Sequence, residues 1–151
     1  MITVCQYHVG EISVRRQACI DQLKANLPLD WGYEMIREPL KLVEHQCAMK
    51  PEETIRRDST LARLQLLAED PHRLWIDTDI MINSVPEIYE GKTYIYGGSC
   101  PACVMCGIER IEELIRDFAE SHLLCIHHWL YQRNHVFIPE TCFTHLKLAG
   151  A

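Results

Sequence analysis

At 151 residues, with 48% hydrophobic and 24% charged side chains, the chain has material for one domain around one core and too little for two full domains. A net charge of −6 and an isoelectric point near 5.7 exclude a general basic footprint for nucleic acid, so a phosphate-bearing ligand needs a local cationic group or a metal. Eight cysteines fall short of a disulfide scaffold, the opening Met1-Ile2-Thr3-Val4-Cys5 lacks a secretion-signal pattern, and no apolar run reaches the roughly 18 to 20 residues that span a bilayer. The expectation is a cytoplasmic protein with reduced thiols and no transmembrane segment.

Ile2 to Tyr7 is β-branched and aromatic and predicts an internal first strand. Val14, Ala18, Leu23 and Leu27 recur at near-helical spacing and Pro28 stops them, which predicts a helix packed back on that strand. Trp31 to Ile36 follows as a second strand, while Pro39 to Met49 has no clear period. Pro51-Glu52-Glu53 places proline and acids where the first turn of a helix favours them, and Ile55, Leu61, Leu64, Leu67 and Ala68 supply its apolar face, so a helix runs from Pro51 to Glu69. Arg73 to Ile82 reads as one buried strand interrupted by carboxylates. Tyr94 to Tyr96 and Ala102 to Met105 are further strands, and Ile108, Ile111, Leu114, Ile115 and Phe118 mark an amphipathic helix. This alternation predicts a single α/β domain over residues 1–151, a sheet flanked by helices.

The interruption Asp77-Thr78-Asp79 is the residue pattern with the most chemistry in it. Carboxylates inside an apolar strand cost several kcal/mol if buried unpaired, so they belong where the strand emerges to face a cation, a donor or water. Strand ends of α/β sheets are where ligand sites form. With a period of two, Asp77 and Asp79 point the same way and can converge on one hard divalent ion. A solvated strand-to-turn junction is the alternative.

Ser59-Thr60-Leu61-Ala62-Arg63-Leu64-Gln65-Leu66-Leu67, followed by Leu74-Trp75-Ile76-Asp77-Thr78-Asp79-Ile80, resembles the sugar-nucleotide-binding region of GT-A glycosyltransferases of the DxD type. The resemblance extends over roughly Ile2 to Glu120 and is specific between Arg56 and Ile82. It implies a GT-A-like mixed sheet flanked by helices and transfer of a sugar from a UDP- or GDP-sugar to an acceptor. Asp77 and Asp79 become the pair that holds Mn²⁺ or Mg²⁺ against the nucleotide diphosphate. Arg63 becomes the helix arginine of the donor-sugar site, and Tyr7, at the end of the first strand, borders the nucleotide base. The family commonly has Ser-Asp just ahead of the helix arginine; here Ser59-Thr60 stands there and Asp58 is displaced by two positions. Many family members complete the metal shell with a C-terminal histidine, which makes His145 the third metal ligand and Lys147 a counter-charge for the departing diphosphate. The retaining chemistry of such families implies no dedicated general base.

Ser99-Cys100-Pro101-Ala102-Cys103-Val104-Met105-Cys106 carries three further readings. Cys100, Cys103 and Cys106 have metal-ligand spacing and would hold Zn²⁺ with a fourth ligand from Cys125, His127 or His128. Cys100-Pro101-Ala102-Cys103 at a helix start, with Phe137-Ile138-Pro139 as a cis-proline segment, is the layout of a thiol-redox protein. The favoured reading is a buried strand with both faces covered, cysteine being among the most buried residue types. Gly97-Gly98 fits either a ligand-approaching loop or a simple turn.

Overall fold

The computed structural model describes residues 1–148. The first strand, β1 (Thr3–Tyr7), leads into helix α1 (Val14–Ala25), which Ser13 caps by accepting a hydrogen bond from Arg16 N at 3.2 Å. Such a cap satisfies one of the orphan donors of the first turn and contributes about 1 kcal/mol. Strand β2 (Gly32–Ile36) follows, then helix α2 (Pro51–Glu69), whose start has Pro51 in the first turn and Glu53 reaching back to Lys50 N at 3.2 Å. Both helices and both strands lie where periodicity and breakers place them.

Strand β3 (Arg73–Ile76) ends at the aspartate triplet, β4 (Ile80–Ile82) begins after it, and β5 (Tyr94–Tyr96), β6 (Val104–Cys106), helix α3 (Ile111–Glu120), helix α4 (His127–Gln132), β7 (Val136–Ile138) and β8 (Phe143–His145) complete the order. The main sheet runs β2-β1-β3-β6-β5-β7, and β4 pairs with β8 in a separate ribbon. In the main sheet only β6 is antiparallel to its neighbours, so the sheet is mixed. Its strands alternate between two core layers, as a period of two requires. Cys5, Trp75, Ile95 and Met105 face the layer containing Leu61, Leu64, Leu114 and Phe118 of α2 and α3, while Val4, Leu74, Ile76, Tyr94 and Val104 face the layer of Leu23 from α1. Each fully buried leucine here contributes roughly 1.5–3 kcal/mol through removal of its surface from water. No helix among the described residues is long and apolar enough to cross a membrane.

Three expectations are corrected. Arg73 to Ile82 is not one strand: the chain turns at Asp77-Thr78-Asp79, Ile80 N bonding back to Asp77 O at 3.3 Å, and β4 leaves the main sheet to pair with β8. A strand buried on both faces cannot carry two carboxylates through the core, so the turn brings them to the sheet end where partners await. Ala102 and Cys103 do not belong to a strand. Pro101–Cys103 form a 3₁₀ turn closed by Cys103 N on Cys100 O at 3.1 Å, because Pro101 has no N–H to give a ladder, and β6 starts only at Val104. All peptide bonds among the described residues are trans, so Pro139 is not a cis-proline; it opens the 3₁₀ turn Glu140–Cys142. Gly97 and Gly98 serve packing, since a Cβ would stand 2.8 Å from Ile138 O at the first and 2.3 Å from the Tyr96 ring at the second.

Candidate functional site

The carboxyl ends of the parallel pair β1 and β3 open into a cleft of about 330 Å³. Tyr7 and His8 line it from the end of β1, Arg16 from α1, Asp58 and Arg63 from α2, and Trp75 with Asp77-Thr78-Asp79 from the end of β3. Helix α2 lies across the sheet so that its Arg63 meets the turn after β3, which is why a residue 14 positions earlier in sequence can grip Asp77.

That grip is bidentate. Arg63 Nε donates to Asp77 Oδ1 and Nη2 to Oδ2, both at 3.0 Å, and Trp75 Nε1 adds a 2.6 Å hydrogen bond to Oδ1. Burial works against the Arg63 charge, but the Asp77 carboxylate together with the neighbouring Cys103 and Cys100 outweighs it and raises the guanidinium above its ordinary value. The main chain of the turn is held as well: Gln6, fully buried, donates from Nε2 to Asp77 O at 3.1 Å and accepts from the Tyr33 hydroxyl at 2.6 Å.

Asp79 makes a different set of contacts. Its Oδ2 accepts from His145 Nε2 at 3.1 Å and from Leu148 N at 3.0 Å. Burial pushes the Asp79 carboxyl up, but the hydrogen bond and charge of His145, with Leu148 N–H and Arg16, hold it below its ordinary value. The same hydrogen bond, against some desolvation, raises His145. Between the aspartates Thr78 Oγ1 accepts from Arg16 Nη1 at 2.6 Å, and Arg16 Nη2 donates to Leu148 O at 3.4 Å.

The two aspartates, Arg63, Asp58 and Tyr7 thus share one cleft wall. Tyr7 accepts from Leu40 N at 3.2 Å through its hydroxyl, and Asp58 sits 3.6 Å from His45 Nε2. His145 reaches the site from behind Asp79, by way of the ribbon in which it pairs with Ile80. Lys147 is exposed, has left-handed backbone (φ 53°) and does not line the cleft. Sequence reasoning missed Arg16 and Thr78; the signal for Arg16 was a basic residue in the first turn of α1, directly after the first strand.

The three cysteines of the Cys100 to Cys106 run do not converge. Cys106 lies on β6 opposite Tyr94, and burial pushes its thiol up to about 12. Cys100 shares a hydrogen bond with Cys103 and lies 3.9 Å from His127 Nε2; the Cys103 thiol above all, then His127 and the Arg63 charge, bring it down to about 5 despite burial. Cys103 moves the opposite way, raised by Cys100, by burial and by Asp77. What does converge is Cys103 with residues distant in sequence. Its Sγ lies 3.7 Å from His145 Nδ1, and ligand atoms of Asp77, Cys103 and His145 fall within 4.8 Å of one another.

Fold and site together define an α/β protein with a mixed sheet, helices on its faces and a carboxylate-lined cleft at its strand ends. No family model and no curated protein matches the sequence. Among solved structures, the fold is similar to the crystal structure of a glycosyltransferase involved in the glycosylation of the major capsid of PBCV-1, with a TM-score of 0.62 over 98% of this chain and 95% of that chain. At 12% identity the likeness is one of fold.

Proposed function

We propose that the chain is a glycosyltransferase of GT-A type that binds a nucleotide sugar in the cleft beside Asp77-Thr78-Asp79. The observation that carries the reading is the meeting of Arg63 and both aspartates at the end of β3, beside the end of β1, in one cleft of about 330 Å³. That volume lies within the range of small-molecule sites. The fold likeness to a glycosyltransferase supports the same reading.

The residues fit a divalent ion. Asp79 uses Oδ2 for His145 and Leu148, and its Oδ1 takes no hydrogen bond among the described residues, so the cleft wall offers a hard oxygen donor suited to Mn²⁺ or Mg²⁺. Bound there, such an ion neutralises the charge that gathers on the departing nucleoside diphosphate. The chain's own groups do the positioning. Arg63 spends Nε and Nη2 on Asp77, which fixes the guanidinium in the cleft wall with Nη1 left for donor-sugar hydroxyls. Arg16, anchored on Thr78 and Leu148, puts a positive charge beside the diphosphate path. Tyr7 and His8 border the base.

Isothermal titration with UDP- and GDP-sugars plus Mn²⁺ tests the binding step. Saturable binding is expected for one nucleotide class and is expected to vanish in the Asp77→Asn, Asp79→Asn double variant; binding that survives both changes refutes the assignment. Slow hydrolysis of the bound donor without acceptor marks an enzyme, and binding without turnover marks a nucleotide-sugar-binding module. A thiol-redox reading of Cys100-Pro101-Ala102-Cys103 draws on one observation, the low value of Cys100 beside the Cys103 thiol.

A further inference from the structure

Around the cleft residue Asp77, three potential ligands arrive from three separate elements, two of them outside the cleft lining. Asp77 comes from the turn after β3, Cys103 from the 3₁₀ turn before β6, and His145 from β8. Main-chain hydrogen bonds lock those elements together: Asp77 N donates to Cys103 O at 2.9 Å, and Leu146 N donates to Asp79 O at 3.0 Å. We propose that Cys103 Sγ, His145 Nδ1 and an Asp77 carboxylate oxygen form a zinc site, with Asp79 as the residue that orients His145.

The spacing of the three ligand atoms suits a shared ion. Two ligands of a tetrahedral zinc, at about 2.3 Å for sulfur and about 2.0 Å for nitrogen, stand about 3.5 Å apart, and Cys103 Sγ lies 3.7 Å from His145 Nδ1. The Asp77 oxygen completes the triangle within 4.8 Å. Asp79 Oδ2 lies 3.1 Å from His145 Nε2, so the Nε2 proton faces a carboxylate acceptor and Nδ1 is the ring nitrogen that faces Cys103. A carboxylate behind a ligating imidazole is the usual arrangement that fixes tautomer and ring orientation. On Asp77, Oδ1 is filled by Trp75 and Arg63, whereas Oδ2 accepts from Arg63 alone and keeps a lone pair.

The donor set decides the metal. A thiolate with an imidazole selects a borderline-soft ion such as Zn²⁺ over Mg²⁺ or Mn²⁺. Three protein ligands leave one position for water or an anion, the pattern of reactive rather than purely structural zinc. On binding, the sulfur–hydrogen bond of Cys103 breaks, the proton leaves to solvent and the electron pair forms the bond to the metal. This differs from the zinc set predicted from sequence spacing, because Cys106 lies on β6 opposite Tyr94 and is not among the ligand atoms gathered around Cys103. It also stands apart from the nucleotide-sugar reading, since the ion can sit there whether or not a nucleotide binds.

The test is titration of the full, metal-stripped chain with Co²⁺ in the absence of nucleotide, followed by displacement with Zn²⁺ and metal analysis. The expected result is one equivalent of metal and a near-ultraviolet sulfur-to-cobalt charge-transfer band that Zn²⁺ abolishes. The band should disappear in Cys103→Ser, persist in Cys106→Ser and Cys100→Ser, and lose its intensity in His145→Gln, a less buried position that guards against misfolding of the Cys103 variant. Asp79→Asn should keep the band and weaken affinity about 10–100-fold. A band that survives Cys103→Ser, one lost in Cys100→Ser or Cys106→Ser, or none at all in protein with unchanged far-ultraviolet circular dichroism, overturns the assignment. Zinc retained without nucleotide-sugar binding leaves this site standing and removes the transferase reading; the reverse result removes only the zinc.

Discussion

Replacing Asp77 by Asn removes one charge from a pair that is mostly shielded from water, and the cost follows from its geometry. The Arg63 and Asp77 side chains are 16% and 13% exposed, and they meet through two 3.0 Å contacts. The ~0–1 kcal/mol typical of solvated pairs therefore does not apply. With charge centres about 4 Å apart, an effective dielectric of 20 gives an attraction of about 4 kcal/mol. Asparagine still offers Trp75 Nε1 an acceptor, so the loss is mainly that of the charge, about 3 kcal/mol, at the lower end of what breaking a buried pair costs. For a chain of this size that lowers Tm by roughly 6–12 °C. Urea and thermal unfolding, both with chelator so that metal does not contribute, measure it. Arg63→Met combined with Asp77→Asn should recover much of the loss, because the stranded guanidinium is gone too. Asp77→Asn within about 0.5 kcal/mol of the parent, or a double variant equal to the sum of the singles, refutes the view that the pair acts as a unit.

The Asp79–His145 pair should make stability depend on pH from both sides in metal-free protein. His145 is raised above 6.5, so its contribution is complete below that value and is lost as pH rises through the folded one; Asp79 is lowered below 3.8, so its contribution is present above that value and lost in stronger acid. Stability should peak between about pH 4 and 6.5 and this feature should vanish in Asp79→Asn, as followed by urea midpoints and by the His145 ring resonances; a His145 titration unmoved by Asp79→Asn contradicts the pairing. Cys100, brought down to about 5 chiefly by the Cys103 thiol, should alkylate with iodoacetamide at mildly acid pH while Cys5 and Cys106, pushed up to about 12 by burial, stay unmodified. Mass spectrometry reads the sites, and uniform slow labelling of all thiols counts against a Cys100 thiolate.

Local signals located most of the framework. Pro51 with Glu52 and Glu53 marked the start of α2, and the β-branched run after Met1 marked β1, because those elements are set by residues adjacent in sequence. The aspartate turn was legible as a place where a strand had to surface, since charge in an apolar run leaves few physical options. Its consequence for topology was not: pairing of β4 with β8 depends on residues about sixty positions downstream that carry no marking pattern, Phe143-Thr144-His145 being too short for periodicity. The cysteines misled for the opposite reason. Cys100, Cys103 and Cys106 are evenly spaced along the chain, yet the 3₁₀ turn at Pro101 keeps Cys100 beside Cys103 while Cys106 goes on to β6 opposite Tyr94. Cys103 beside His145, 42 positions apart, has no local signature at all.

The ribbon of β4 and β8 also has a bearing on how the molecule matures. Among the described residues every strand of the main sheet and every helix precedes Phe143, and the Asp79–His145 contact joins positions 66 apart in the sequence. Joining such distant segments carries a loop-closure cost before any contact repays it, so contacts of this kind tend to form late. A chain still emerging from the ribosome can therefore build much of its sheet while Asp79 remains without its histidine. The Asp79–His145 contact is the one that waits for the C-terminal strand, although the residues that line the cleft all precede it.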